Sequence, residues 1–140
     1  PWRSMAAIPS IEDHLPRRER LVRILERDGA RCVWCRRALD DRLVRPTTEH
    51  VVPRIKGGPS WIENEVAACR RCNGRRGHRT PAEWIDECEG LGWEPDVAVV
   101  IAALERLERA IGRRGGQRRA RPYVASQLRR LRNRPTDRSG

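Results

Sequence analysis

Residues 46–73 read PTTEHVVPRIKGGPSWIENEVAACRRCN, and this stretch decides the fold. Its segments TTEHVV and EVAAC are short and rich in small and β-branched residues, which is typical of strands. The segment between them is rich in Pro and Gly and shows little helical periodicity, which is typical of a loop. The sequence therefore predicts two strands that are joined by a long loop.

Four of the five cysteines form two Cys-x-x-Cys pairs, Cys32 with Cys35 and Cys69 with Cys72. Thiolates at this spacing can converge on one tetrahedral ion at about 2.3 Å, so we predict a structural zinc site. Buried thiol pairs, disulfides and an iron–sulfur cluster are the alternatives. The odd cysteine count argues against a complete disulfide framework, and the Gly- and Pro-rich context favours a zinc ribbon. Cys88 is left over, and we expect it to be a small core residue on a helix.

The sequence on either side of the cysteine pairs predicts short helices. Residues 16–29 carry apolar side chains amid charge and end at a glycine, which is typical of an amphipathic helix with a C-terminal cap. Thr80 opens a capping box, and Asp96 can cap a helix whose apolar stripe continues to Ile111. A Gly- and Arg-rich segment follows, which we expect to be mobile. A last short amphipathic helix is predicted beyond Pro122.

The composition limits the size of the core and indicates a partner. Only 38% of the 140 residues are hydrophobic, so the core must be small and needs a staple. The net charge is +11, and residues 112–140 hold ten Arg against one Asp, which places +9 of it in this segment. Clustered cations favour a polyanion, because binding releases counterions from phosphates. We therefore expect this segment to be a tether that binds nucleic acid. The alternative is that its arginines only form a solvated surface.

No apolar run approaches the roughly 20 residues that cross a bilayer, and the first residues show no signal-peptide core. We therefore expect no membrane association and a cytoplasmic protein, because thiols stay reduced there and can bind zinc.

Three segments together carry a family resemblance: EHVVPRIKGG at 49–58, ENEVAACRRCN at 63–73 and RTPAEW at 79–84. They resemble the HNH nuclease family, in its zinc-ribbon-bearing bacterial branch, over roughly residues 28–88. The resemblance implies an α+β chain with a small, zinc-stapled ββα-metal core and flanking helices. In that core the catalytic His ends the first strand, the loop carries an Asn, and the second strand leads into a helix with the third motif residue.

By motif position, His50 would be the general base and Asn64 the residue that holds the loop beside it. Glu49 and Asn73 would be ligands of a catalytic Mg²⁺, Mn²⁺ or other divalent cation, which makes the chain an HNN variant. The family often has Asp in place of Glu49 and commonly Lys in place of Arg76. An imidazole with a pKa near 6.5 suits proton transfer at neutral pH, and a carboxylate with an amide oxygen suits a hard cation.

One local feature complicates this assignment. Adjacent side chains on a regular strand point to opposite faces. Glu49 and His50 therefore cannot both face inward from a regular strand, and we expect a bend or a strand end at this pair.

Basic residues near the motif and in the C-terminal segment are predicted contacts to the DNA backbone. They are Arg54, Lys56, Arg70, Arg71, Arg75, Arg76, Arg79, Arg113, Arg114, Arg118 and Arg119. The other two histidines are not assigned to the site: His78 is expected on a helix end or loop, and His14 in solvent. Gly57 and Gly58 are expected to serve turns of the loop.

The chain is divided on this basis into four parts. We expect an N-terminal segment with a short helix at 1–27, the HNH nuclease domain at 28–88, an amphipathic helix at 89–111, and a basic linker with a short helix at 112–140. The favoured function is a metal-dependent endonuclease that nicks or cuts DNA, with RNA a less favoured substrate. The alternative is a non-catalytic zinc-ribbon nucleic-acid-binding protein. Double-strand cleavage would need a homodimer, for which the helix at 96–111 is the candidate interface.

Overall fold

The computed structural model describes residues 11–40 and 42–135. These residues form one antiparallel hairpin and five α-helices, together with short 3₁₀ turns, so the expected α+β class is confirmed. In chain order the elements are α1 (Arg17–Asp28), β1 (Pro46–His50), β2 (Glu65–Cys69), α2 (Arg70–Arg76), α3 (Pro81–Gly90), α4 (Val97–Arg114) and α5 (Ala120–Arg132).

The hairpin and the helix that follows it form the expected ββα unit. Pro46 pairs with Cys69 at one end of the register and His50 with Glu65 at the other. All of β2 is buried, and α2 begins at the residue directly after it. The β1–β2 loop contains two 3₁₀ turns, Arg54–Lys56 and Ile62–Asn64. This connectivity places α2 beside β1.

The predicted helix ends are confirmed by their hydrogen bonds. The Thr80 hydroxyl accepts from the Glu83 N–H at 3.1 Å, and the Glu83 carboxylate accepts from the Thr80 N–H at 3.2 Å, which completes a capping box. The Asp96 carboxylate accepts from the Val99 N–H at 3.2 Å. Gly29 ends α1 with a φ of +87°, a left-handed value that glycine adopts without strain.

The core lies between the cysteine knuckles and the three C-terminal helices. Trp34 and Trp84 are its largest buried side chains, and Leu104 and Leu107 of α4 are buried with them. A smaller cluster lies under α1, where Ile24 packs with apolar residues of the hairpin region. The knuckle cysteines are themselves part of the main core, so a metal site there would be continuous with the hydrophobic packing.

The C-terminal segment differs from the expectation of a mobile tether. Helix α4 extends through Arg114, and α5 begins at Ala120 rather than after Pro122, so only residues 115–119 connect them. Val124, Leu128 and Leu131 are buried, and α5 packs on α4 and α3. A proline in the first helical turn costs little because the N–H groups there have no intrahelical partner. Through Arg132, the segment is therefore an integral part of the fold.

The predicted dimer interface on α4 is also occupied within the chain. Leu104, Leu107 and Ile111, which form the apolar stripe, are all buried, and α5 packs against the helix. This stripe is therefore not free for a second copy. None of the helices described combines the length and apolar character needed to cross a bilayer.

Candidate functional site

The four predicted zinc ligands come together in space. The sulfur atoms of Cys32, Cys35, Cys69 and Cys72 all lie within 4.8 Å of one another, and Cys35 and Cys69 are 3.8 Å apart. Tetrahedral zinc with bonds of about 2.3 Å needs sulfur separations of about 3.8 Å. All four are free thiols, which removes the disulfide alternative for these residues. The cluster has the donor set and spacing of a structural zinc site.

The electrostatics of the cluster favour a cation. Hydrogen bonding with Cys69 raises the pKa of Cys32 to about 12, whereas hydrogen bonds from Cys32 and Cys72 lower the pKa of Cys69. Arg37 also donates to the Cys69 sulfur at 3.4 Å. A thiolate that is stabilised in this way is a ligand that a metal ion can take in place of a proton. Cys88 lies outside this cluster and is buried, as expected for a core residue.

His50 is the last residue of β1, so the strand ends at the pair where we expected an end or bend. Its Nε2 lies 3.5 Å from the Ser60 hydroxyl. The pKa of His50 is lowered to about 4, first by burial and then by the positive charges of Arg54, Arg20 and Arg17. The imidazole is therefore uncharged at neutral pH and can accept a proton.

Asn64 is buried and fastens the loop that returns from His50. Its Oδ1 accepts from the Val52 N–H at 2.9 Å, and its Nδ2 donates to the carbonyls of Val52 at 3.0 Å and Pro59 at 2.9 Å. Gly58 is required beside it, because a Cβ there would lie 1.8 Å from the Val52 carbonyl oxygen. These contacts show how an Asn at this position can hold the loop in shape.

Glu49 lies on the other face of β1 from His50 and is only 6% exposed. The indole N–H of Trp34 donates to its Oε2, and the Arg76 guanidinium lies 3.5 Å from its Oε1. Burial raises the pKa of Glu49, and the charge of Arg76 opposes that shift. The carboxylate is therefore held between a neutral donor and a cationic donor.

Asn73 is on α2, next to β1, and its side chain lies on the Glu49 side of the hairpin. Its Nδ2 donates to the Thr47 hydroxyl at 3.1 Å and to the Thr48 carbonyl at 3.3 Å. Thr47 and Glu49 share a strand face because they are two residues apart. In the part of the chain that the structure describes, the Oδ1 of Asn73 accepts no hydrogen bond. An amide oxygen and a carboxylate on one face are oxygen donors of the kind that a hard cation takes, so the residues present fit such an ion.

Two of the predicted DNA contacts are wrong because their side chains are buried. Arg76 is 1% exposed and donates to the carbonyls of His50 at 2.8 Å and Val51 at 2.6 Å. Arg114 contacts the carboxylates of Asp13 and Glu63 and lies 3.6 Å over the Trp61 ring. Their guanidinium groups are used within the protein. The remaining predicted cations are exposed: Arg54, Lys56, Arg70, Arg71, Arg75, Arg79, Arg113, Arg118 and Arg119.

An arginine-lined cleft beside β1 includes residues that the sequence analysis did not assign. It encloses about 510 Å³ between the start of α1, β1 and the start of α2. Its cationic residues are Arg17, Arg18, Arg45 and Arg70, and we call it the arginine cleft. Arg17 donates to the Thr48 hydroxyl at 2.9 Å, two residues before His50. No local sequence signal connects residues so far apart in the chain.

Helix α1 is fixed in this position by ion pairing to the hairpin. Arg20 lies 3.0 Å from the buried carboxylate of Glu65, the residue that pairs with His50 in the register. Arg27 donates to the carbonyls of Ile62 at 2.9 Å and Glu65 at 2.7 Å. His14 is exposed, as expected, and His78 lies in the turn after α2, where a helix end or loop was expected.

One known family is similar to the part of the chain that contains the cysteine cluster and the hairpin. Residues 32–89 match the model of the family described as HNH endonuclease. Among solved structures, the chain is similar to the Type II-C Cas9 enzyme from Actinomyces naeslundii, at 21% identity and a TM-score of 0.49. That match covers 93% of this chain and 12% of the other, so the chain spans a small part of that enzyme's length. No curated protein matches the chain. The similarity to the HNH endonuclease family thus covers residues 32–89, which include the cysteine cluster and the hairpin.

Proposed function

We propose that the protein is a metal-dependent endonuclease that hydrolyses DNA phosphodiester bonds, with His50 as the general base. The observation that carries the proposal is the position of His50. It is the last residue of β1, its imidazole is uncharged, and arginines of α1 and of the β1–β2 loop surround it. Arginines attract the phosphate backbone, and an uncharged imidazole can take a proton from water. Attraction of the phosphate and removal of a proton from water can therefore both take place at His50.

His50 acts on the attacking water and depends on its neighbours for orientation. Arg76 holds its backbone carbonyl, Ser60 lies beside its ring, and Asn64 fastens the loop after it. These contacts restrict the backbone at the strand end. A base that is already oriented loses less entropy when the substrate arrives.

Glu49 and Asn73 would hold the divalent cation, Mg²⁺, Mn²⁺ or another, on the other face of β1 from His50, at the end of the strand. When bound, the ion supplies positive charge for the phosphate and the leaving oxygen. The amide oxygen of Asn73 is already free of hydrogen bonds among the described residues. The carboxylate of Glu49 has to turn from Arg76, its partner at 3.5 Å.

The four-cysteine cluster has a separate, structural role in this proposal. Zinc that is closed by four thiolates keeps no open coordination position, so it cannot bind a substrate. Cys32 and Cys69 lie in the main core, and the ion would cross-link the first knuckle to the end of β2. Its function is therefore to fold the site rather than to act in the reaction.

The arginine cleft is the proposed path of the DNA backbone toward His50. It opens beside Thr47 and Thr48 of β1, and Arg54 lies exposed beyond the strand end. Contacts of this kind position phosphates without reading base sequence. A single site cuts one strand per engagement, so a double-strand break would require a second copy of the chain.

A second candidate is a nucleic-acid-binding protein that keeps the fold but does not cleave. The ion pair between Glu49 and Arg76 favours it, because a carboxylate that a guanidinium already compensates has less affinity for a cation. Plasmid cleavage separates the two candidates. With Mg²⁺ or Mn²⁺, the endonuclease converts supercoiled plasmid to nicked or linear DNA, and a chelator of these ions stops it. Binding without conversion under both ions would support the second candidate.

A further inference from the structure

Trp34 connects the first cysteine knuckle to the proposed cation ligand. It lies between Cys32 and Cys35 in the sequence, and its side chain is fully buried. Its indole N–H donates to the Oε2 of Glu49. The knuckle is in turn attached to β2, because the Val33 N–H donates to the Ala67 carbonyl at 3.1 Å. The backbone of the knuckle is therefore held against β2, and it places the indole N–H of Trp34 at the carboxylate of Glu49.

The carboxylate of Glu49 has only two orienting partners among the described residues, and they act differently. Arg76 lies 3.5 Å from Oε1 and would repel a cation that approaches that oxygen. Trp34 is neutral, so its hydrogen bond orients the carboxylate at Oε2 without opposing a cation. Arg76 also lies 4.9 Å over the Trp34 ring. When Glu49 turns from Arg76 to a cation, the Trp34 hydrogen bond is the one it can keep.

We propose that Trp34 is a positioning residue that holds the Glu49 carboxylate for the divalent cation and so makes cation affinity depend on the folded zinc knuckle. This inference rests on the proposed function, in which Glu49 is a cation ligand. Partners that orient a metal-binding carboxylate typically change metal affinity 10- to 100-fold when they are removed. Trp34 does not touch the substrate or the ion.

Trp84 provides a matched control. It is fully buried in the same core cluster as Trp34, and its ring packs edge-on against Trp93 at 6.1 Å. Its indole N–H has no hydrogen-bond partner among the described residues. Replacing either tryptophan with phenylalanine removes a similar amount of buried surface, but only the change at Trp34 removes a hydrogen bond to Glu49.

The experiment compares Trp34→Phe, Trp84→Phe and Glu49→Gln in the full chain without DNA. Zinc content is measured first, and Mn²⁺ affinity is then measured from the electron paramagnetic resonance signal of free Mn²⁺. We expect zinc to be retained in all three, and Mn²⁺ affinity to fall about 10-fold or more in Trp34→Phe but to stay close to wild type in Trp84→Phe. Wild-type Mn²⁺ affinity in Trp34→Phe would overturn the inference.

Two further arms keep the result interpretable. If Trp34→Phe does not fold, benzothienylalanine at position 34 replaces the indole N–H with sulfur at nearly the same volume, and the same fall in affinity is expected. Glu49→Gln tests whether Glu49 is a ligand of the cation, which the inference about Trp34 requires. If Glu49→Gln loses affinity and the variants at Trp34 do not, the inference fails alone; if Glu49→Gln binds Mn²⁺ like wild type, the cation assignment fails and the inference fails with it.

Discussion

Buried polar side chains hold the backbone around His50. Asn64 pairs with both backbone groups of Val52, and Arg76 donates to two successive carbonyls, those of His50 and Val51. Buried backbone groups need such partners, because a buried donor or acceptor without one costs about 1–3 kcal/mol. The strand end therefore keeps its shape although no regular ladder continues there. The contacts of these two side chains fix the loop.

Asn64→Ala should destabilise the protein, because it leaves the Val52 N–H and the carbonyls of Val52 and Pro59 without their partner. We expect a loss of at least about 1–3 kcal/mol, the cost of one such group, in urea denaturation. Asn133→Ala, at the exposed C-terminal end of α5, is the control and should change stability by less than about 0.5 kcal/mol. Equal effects of the two changes would contradict this account.

At the level of single residues, the sequence predicted the contacts between residues close together in the chain and missed those between distant segments. The caps at Thr80 and Asp96 use partners three residues away, and both were predicted. The burial of Arg76 and Arg114 was missed, because arginine is usually exposed and their acceptors lie on distant segments. The burial of Glu49 was likewise unpredictable, since its partner Trp34 comes from a separate knuckle.

The helices and the hairpin are held around His50 by the cysteine cluster and by the packing of the helices. The cysteine pairs join the segment before β1 to the end of β2, and α1 covers the hairpin through the Arg20–Glu65 ion pair. Helix α5 closes the other side of the core over α4. The sequence predicted the hairpin, the caps and the convergence of the two cysteine pairs, because each has a short-range pattern. It did not predict the docking of α5, because a helix with few apolar residues between arginines looks like a solvated tail.

Cys69→Ser should abolish zinc binding and cooperative folding, because the core is small and metal binding contributes directly to its folding free energy. Metal analysis and thermal denaturation followed by circular dichroism test this. Cys88→Ala is the matched control, since Cys88 is equally buried but lies outside the cluster. It should keep its zinc and unfold cooperatively. Folded, active protein without zinc would refute the structural role of the cluster.

Ending the chain after Arg114 should unfold the protein rather than merely weaken its binding to DNA. The truncation removes Val124, Leu128 and Leu131, and burial of each such side chain contributes about 1.5–3 kcal/mol. The control keeps the helix and removes charge: Arg129→Gln and Arg130→Gln together should melt close to wild type, since both side chains are exposed. A truncated chain with the wild-type melting temperature would show that α5 is a dispensable tail.

The whole molecule combines a basic surface with a site that the hairpin and α1 build together. The sequence predicted that a polyanion binds, from the net charge of +11. It could not locate the arginine cleft, because Arg17 and Arg18 reach β1 only through the packing of α1. The arginines of the cleft are therefore brought together by the packing of the fold, and none of them lies in the C-terminal segment.

Removing charge from the arginine cleft should flatten the salt dependence of DNA binding. Each lost phosphate contact lowers the slope of log affinity against log salt by about 0.9. Arg18→Ala, Arg45→Ala and Arg70→Ala together should therefore flatten it by roughly that amount for each contact made. The comparison is Arg109→Ala with Arg129→Ala, which are exposed arginines of α4 and α5. A slope that stays at the wild-type value in the cleft variant would exclude the cleft as the DNA path.

The most direct test of the central claim is the single-turnover cleavage rate of His50→Ala at saturating plasmid, measured beside DNA affinity and zinc content. A general base acts in the transition state and contributes little to the bound ground state. The rate should therefore fall about 10²- to 10⁴-fold while DNA affinity and zinc content stay at wild-type values. Cleavage by His50→Ala at the wild-type rate would contradict the account.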